Sequence, residues 1–294
     1  MKMNIGLIGL DTSHCEIFTR LLNDSKDPYH VKGGEITHAI PTFSADLPIS
    51  STRFPAYFET VTTKYGVCPI EDVDAFMTAV DAVIIGTVDG RNHLEWFKKV
   101  VHYGKPIFID KPIVMSSLEM AELMKLSADY STPVMSSSSL RFSESVLNIV
   151  DNKKLKSGYF YGPVPMQGEM PGYFWYGIHL VEMIVTIFGT NIDQIELDSH
   201  EDHEYVYMSY SDGKKVILRG DYTWHDRFGA VLHSSENELT LKLWEEEKPY
   251  YAGLMEHIIT FFESRITPVP LTETAEIINI IERINEVRKS GFRV

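Results

Sequence analysis

The sequence predicts an α/β protein: a doubly wound parallel sheet over residues 1–138, followed over 139–294 by an α+β unit with a predominantly antiparallel open sheet. Three observations carry this. Short apolar runs alternate with amphipathic helical stretches up to about residue 138, which is the grammar of a parallel sheet covered on both faces. Beyond about residue 140 the pattern changes to alternating segments punctuated by hairpin turns. The 294 residues also suit two domains of ~150 each.

In the first half, strands are expected at Ile5–Ile8, Ile36–Ile40, Ala82–Ile85, Ile107–Ile109 and Val134–Met135. Helices are expected around Ile17–Leu22, Val73–Val80 and Leu94–Val101, the last stopped by Gly104. Another follows the capping box Ser116-x-x-Glu119. The stretch 41–70 is the weak part, because Pro41, Pro48, Pro55 and Pro69 interrupt a long connection. In the second half a helix near Trp175–Phe188 ends at Gly189. Hairpins follow at Glu204–Tyr210/Lys215–Arg219, around Ser211-Asp212-Gly213, and at Val231–Ser234/Leu239–Trp244. Amphipathic helices near Ala252–Ser264 and Glu273–Lys289 close the chain.

Composition narrows the function. Lys plus Arg number 27 and Asp plus Glu 41, a net charge of −14, which argues against binding nucleic acid or an anionic membrane. Two cysteines, Cys15 and Cys68, make no disulfide framework and fit a reducing compartment. No run approaches the ~18 apolar residues that span a bilayer. The apolar start is too short for a signal peptide and breaks at Asp11, so a cytoplasmic protein is expected.

A dinucleotide fold places a glycine-rich turn between its first strand and first helix, where free backbone N–H groups meet the pyrophosphate. Here the strand ends at Gly9, and Leu10-Asp11-Thr12-Ser13-His14 follows. The spacing Gly-x-Gly-x-x-Gly from Gly9 requires glycine at the positions of Asp11 and His14. A carboxylate ~4 Å from a phosphate charge costs roughly 1 kcal/mol in water and ~4 near a protein surface. Asp11 is therefore expected to turn away, to cap the helix, or to mark a site that binds weakly or differently. The acidic residue expected after the second strand is late, at Asp46; Thr42 and Ser44 are weaker ribose partners.

Further motifs continue the pattern. Asp81-Ala82-Val83-Ile84-Ile85-Gly86-Thr87 runs to Asn92-His93, then Gly104-Lys105-Pro106 leads into Ile107-Phe108-Ile109-Asp110-Lys111-Pro112. Gly177-Ile178-His179 follows downstream, and the chain ends through Phe261-Phe262, Pro268-Val269-Pro270 and Arg288-Lys289-Ser290-Gly291. In kind and order these resemble the Gfo/Idh/MocA oxidoreductase family over nearly the whole chain. The resemblance implies a Rossmann domain followed by an α+β substrate and oligomerisation domain. It also implies NAD or NADP as cofactor, a sugar, polyol or related hydroxy or keto compound as substrate, and a homodimer or homotetramer built on the open sheet.

It further implies roles. Lys111, after a buried strand, polarises the reacting oxygen, and burial lowers its pKa. His179 exchanges the proton with the substrate hydroxyl; alternatively it is a satisfied core histidine. Gly9, Asp11, Thr12, Ser13, His14, Thr42, Thr87, His93, Asp110 and Lys111 are the candidate cofactor residues, with Asp110 standing where the family more usually has Glu. The family's acid four residues before the histidine is absent, Trp175 standing there. Glu182 fits the family's structural acidic position. Tyr173, Trp175 and Tyr176 are candidates to stack on a sugar face, core packing being the alternative. Arg141 is a candidate for a substrate carboxylate or phosphate, or else a solvated surface residue. His200-Glu201-Asp202-His203 reads as a solvated turn, and no metal is expected. Two other readings stay open: a non-catalytic dinucleotide- or ligand-sensing protein on the same fold, and a cofactor-retaining hydrolase or lyase.

Overall fold

A computed structural model describes residues 2–150 and 154–290. The chain divides into two compact units. Met1–Ser137 together with Tyr251–Thr274 form the first, and Ser138–Tyr250 with Ala275–Val294 the second. Tyr251–Thr274, expected with the second unit, thus packs with the first.

In the first unit the elements run β1 (Met3–Ile8), α1 (Ser13–Asn23), β2 (Gly34–Ile40), α2 (Pro48–Ser51), α3 (Phe54–Glu59), β3 (Cys68–Pro69) and α4 (Val73–Ala79). They continue with β4 (Ala82–Ile85), α5 (His93–Val100), β5 (Ile107–Ile109), α6 (Ser117–Asp129) and β6 (Val134–Met135). The strands pair in parallel in the order β3-β2-β1-β4-β5-β6. This is the doubly wound dinucleotide-binding order, whose direction reverses between β1 and β4; ligands bind beyond the carboxyl ends of the strands at that point. Ile5, Leu7, Ile8, Val83, Ile84, Ile85, Ile107 and Phe108 have no exposed surface, so an unbroken apolar run, not alternation, marks each central strand. The capping box forms: Ser116 Oγ accepts from the Glu119 N–H at 3.2 Å, and Glu119 Oε2 accepts from the Met115 N–H at 2.8 Å.

The stretch 41–70 is more ordered than its prolines suggest. Pro48 and Pro55 lie in the first turns of α2 and α3, where a missing N–H is no loss. Pro69 lies on the edge strand β3. The segment that returns from the C-terminal half is α9 (Tyr250–Ser264) from Tyr251 on. Its Ile259 sits against Gly33 and Gly34 at the start of β2, where added Cβ atoms would lie within 2.6 and 3.0 Å of it. An apolar helix face needs a cover, and the side-chain-free entrance to β2 supplies one.

In the second unit come α7 (Glu144–Leu147), β7 (Leu155–Pro163), α8 (Gly177–Phe188), β8 (Ile192–Ser199), β9 (His203–Tyr210), β10 (Lys215–Asp221), β11 (Gly229–Ser234) and β12 (Glu238–Lys242). α10 (Leu271–Ser290) belongs to this unit from Ala275 on. The sheet order is β12-β11-β7-β10-β9-β8, antiparallel except for the β7–β10 pair. One face, with Phe160, Val206, Met208, Leu218 and Leu232, is buried under α8 and its Leu180, Met183 and Ile184. The expected hairpins form; β7 and β8 were not legible. In β7 the inward positions include Gly158 and Gly162, which do not register as apolar, and in β8 a register shift between Ile192 and Gln194 breaks the alternation. Gly291, at the end of the family-like C-terminal stretch, lies outside the described residues.

Candidate cofactor and catalytic residues

At the end of β1, Gly9 has φ +98°, and a Cβ there would lie 2.7 Å from the Thr87 backbone nitrogen. This glycine is required by backbone conformation and close approach together. The Gly9 N–H donates to Ile40 O at 3.1 Å and the Leu10 N–H to Thr42 O at 3.3 Å, tying the turn to the end of β2. Thr42 contributes through this carbonyl.

Asp11 is corrected as a cofactor contact. It has no exposed surface: Oδ2 accepts from the Ser50 hydroxyl at 2.6 Å and Oδ1 from the Val88 N–H at 3.0 Å. Burial pushes its carboxyl up, against the opposing effect of these hydrogen bonds. It does not cap α1 either; Thr12 holds the N-cap position, without a side-chain capping bond. The result suits a phosphate. The Thr12 side chain caps none of the first-turn N–H groups of α1, and the Asp11 carboxylate, which would repel an anion, faces Ser50 and Val88 instead. Thr12 and half-buried Ser13 lie at this turn.

The loops after β2 and β4 are joined by groups that sequence reading passed over. Ser50 Oγ, which donates to Asp11, also accepts from the Ser44 N–H at 2.7 Å. Ser44 Oγ donates to Asp89 at 2.7 Å and accepts from the Asn92 amide at 2.7 Å. Arg91 bridges buried Asp89 (2.7 Å) and exposed Asp46 (3.0 Å). Burial alone would raise Asp89, but Arg91 and Ser44 hold it below the usual carboxylate range. Asp46, exposed and paired with Arg91, is the acidic residue that follows β2. A signal was present: Asp89-x-Arg91 within a family-like loop, with no apolar periodicity to explain it.

At the end of β5 stand Asp110 and Lys111, the latter joined to Pro112 by a cis peptide bond. Asp110 is buried, and its Oδ2 lies 2.5 Å from His14 Nδ1, whose Nε2 is 2.9 Å from the Tyr251 hydroxyl. Burial would raise the Asp110 carboxyl; the charge and hydrogen bond of His14, with Lys111 and His93, hold it down at about 2. Burial lowers the Lys111 ammonium and the Asp110 carboxylate opposes that fall. His93 is corrected as a direct cofactor contact. It is fully buried, with Nδ1 2.7 Å from Pro112 O and Nε2 2.9 Å from Thr87 O. It ties the turn after β4 to the Lys111-Pro112 motif. Thr87, equally buried, serves through its backbone against Gly9.

In the second unit His179 is 6% exposed, so it keeps a small accessible edge. Its Nδ1 is 2.7 Å from Ser138 Oγ, and its ring stands edge-on to Tyr176 at 5.5 Å. Glu182 accepts from the Ser138 N–H at 2.8 Å and from Arg141 Nε at 2.7 Å. Arg141 is therefore not a solvated surface residue: it is buried in an ion pair with Glu182, the residue that also holds the Ser138 N–H. Tyr173 is also corrected. It has no exposed surface and packs against Gly177, so it belongs to the core, not to a sugar-stacking face. Trp175 is 7% exposed, in edge-on contact with half-buried Tyr176 at 5.6 Å. No group of three or more His, Cys, Asp or Glu among the described residues is placed to hold a metal ion.

Residues 49–137 match a family model, GFO_IDH_MocA, described as oxidoreductase family, NAD-binding Rossmann fold. No curated protein matches the chain. Solved structures match it along its whole length. The apo scyllo-inositol dehydrogenase of Lactobacillus casei aligns with TM-score 0.82 at 15% identity, covering 100% of this chain and 98% of that one. The myo-inositol dehydrogenase of Corynebacterium glutamicum aligns with TM-score 0.78 at 13% identity, again over 100% and 98%. An Agrobacterium radiobacter oxidoreductase, solved with NAD+, L-tartaric acid and magnesium, aligns with TM-score 0.76 at 13% identity over 100% and 98%. At such identities these are likenesses of fold. Residues 49–137 thus match the NAD-binding Gfo/Idh/MocA oxidoreductase model that the motifs resemble, and the chain along its whole length has a fold like that of these dehydrogenase structures.

Proposed function

We propose that the protein is an NAD(P)-dependent oxidoreductase that moves a hydride between the nicotinamide and a sugar, polyol or related hydroxy or keto compound. The observation that carries this reading is Lys111 at the carboxyl end of β5, an ammonium weakened by burial and supported by the ionised Asp110 beside it. Such a group donates a hydrogen bond to the reacting oxygen and stabilises the alkoxide form. Gly9, the first turn of α1 and Asp46 are the groups proposed to take the dinucleotide, which supplies or accepts the hydride when bound. His179, in the second unit, is the proposed proton-exchanging residue, with Ser138 on its Nδ1 in place of any acid at Trp175.

Titration with NADH and NADPH, followed by cofactor fluorescence, tests binding; no signal at millimolar concentration overturns the reading. Turnover on a polyol and sugar panel should fall by about 10² to 10³ in Lys111→Ala. Because burial lowers the Lys111 ammonium, the alkaline limb of that turnover should lie below the ~10.4 of an ordinary lysine. A non-catalytic ligand-sensing protein is the second reading, favoured by Trp175 in the acid's place; binding without turnover in either direction would establish it.

We also propose a cytoplasmic location, in keeping with two free cysteines, and a homodimer or homotetramer. No helix among the described residues is long and apolar enough to cross a membrane. The sheet face opposite α8 supports the oligomer. There Tyr207, Ile217, Tyr159 and Val231 lie in one cross-strand row, with Tyr205 and Tyr161 in the next. Such a row of half-exposed aromatic and aliphatic groups is a natural interface. Light scattering that gives a monomer mass would overturn it.

A further inference from the structure

We propose that His14 is a positioning residue for the Asp110–Lys111 pair: braced by the Tyr251 hydroxyl, it fixes the Asp110 carboxylate in one orientation beside the lysine. The inference rests on the oxidoreductase reading and deepens it, since it assigns a role to a residue that stands where the phosphate loop's third glycine would be. The contacts lie within the first unit. His14 Nδ1 is 2.5 Å from Asp110 Oδ2 and Nε2 is 2.9 Å from Tyr251 Oη. The ring stands edge-on to Tyr251 at 5.0 Å and 5.4 Å from Phe18, so aromatic packing holds it as well.

The chemistry gives the chain a direction. An ionised carboxylate only accepts hydrogen bonds, so Nδ1 carries the hydrogen that it donates to Asp110. Nε2 then accepts from the Tyr251 hydroxyl when the ring is neutral and donates to it when the ring is charged. Asp110 Oδ2 and the Tyr251 hydroxyl contact the ring, Lys111 and His93 act on Asp110, and Asp11 and Glu16 are close neighbours in sequence. Of these, Asp11 is committed to Ser50 and Val88, and His93 to two carbonyls. His14 Nδ1 donates to Asp110 at 2.5 Å. Without it, Asp110 loses the strongest influence that holds its carboxyl down against burial, and the support that its anion gives to the Lys111 charge weakens.

The experiment compares wild type, His14→Ala and His14→Gln by NADH affinity and by kcat and KM against pH. In His14→Ala, kcat should fall about tenfold to a hundredfold, as when the outer partner of a working ligand is removed. The alkaline limb should move about one pH unit to lower pH, since Lys111 gives up its proton more easily. Substrate KM should stay within about threefold. His14→Gln, whose amide N–H can still donate to Asp110, should recover part of the loss. Equal losses in both variants with an unmoved limb, or no loss in either, would overturn the proposal. A second readout needs no turnover. In protein with 15N-labelled histidine, the His14 ring, identified by its absence in His14→Gln, should show a protonated Nδ1; an Nε2–H tautomer would overturn the assignment. If wild type binds no NADH the oxidoreductase reading fails, and the ring spectrum still decides whether His14 holds Asp110.

Discussion

Two departures from the family pattern, one in each unit, are resolved in opposite ways. In the first unit Asp11 adds a carboxylate where a small, neutral residue is expected. The fold absorbs it, giving both oxygens buried donors in Ser50 and Val88. In the second, Trp175 removes an acid four residues before His179, and the ring takes Ser138, a residue 41 positions away in sequence, as its Nδ1 partner. An added polar group must find partners wherever it is buried, so it reshapes its own surroundings. A missing one leaves a ring nitrogen to be satisfied by whatever the tertiary structure brings near.

The contrast can be broken by substitution. The largest effect is expected in Asp11→Leu, which strands the buried Ser50 hydroxyl and Val88 N–H together. It should cost about 2–4 kcal/mol of stability in urea unfolding; a loss below ~1 kcal/mol would mean that the carboxylate is not integrated as described. Ser138→Ala comes next. It should lower turnover about tenfold by freeing the orientation of His179, an effect of the size seen when the partner that orients a ligand is removed. Unchanged turnover would remove His179 or its Ser138 contact from the reaction. The smallest is Asp11→Asn, which retains an acceptor oxygen and should change stability by less than ~1 kcal/mol at neutral pH. Its value is the pH dependence. Because the folded carboxyl is raised, the wild type should lose stability as pH climbs from the ordinary carboxylate value of 3.8 through the raised value, and Asp11→Asn should not. Parallel stability profiles for the two proteins would contradict the burial of the charge.

Much of the fold was legible because its signals are local. The buried run Ile5–Ile8 in β1 and the strands β4 and β5 are unbroken apolar stretches, and the Ser116 box and Gly189 mark helix ends. What was missed involved glycines facing a core, as in β7, or a bulge, as in β8. The site divides along the same line. Lys111 and Gly9 were readable from motif and spacing. Ser50, Asp89, Arg91 and Ser138 were not, because each acts through a partner from another element. Arg141 shows the limit: nothing near it in sequence announces Glu182, so a buried ion pair and a solvated arginine look alike.

The sequence by itself determined the fold class and the order of its elements, and it singled out Lys111 and His179 as candidates, because periodicity, turn chemistry and motif order are properties of neighbouring residues. Only the tertiary structure decided which way Asp11 points, that His14 closes on Asp110 and Tyr251, and that α9 returns to the first unit. Those outcomes depend on where a buried polar or apolar group finds its partner, and the partners lie up to 237 residues away along the chain.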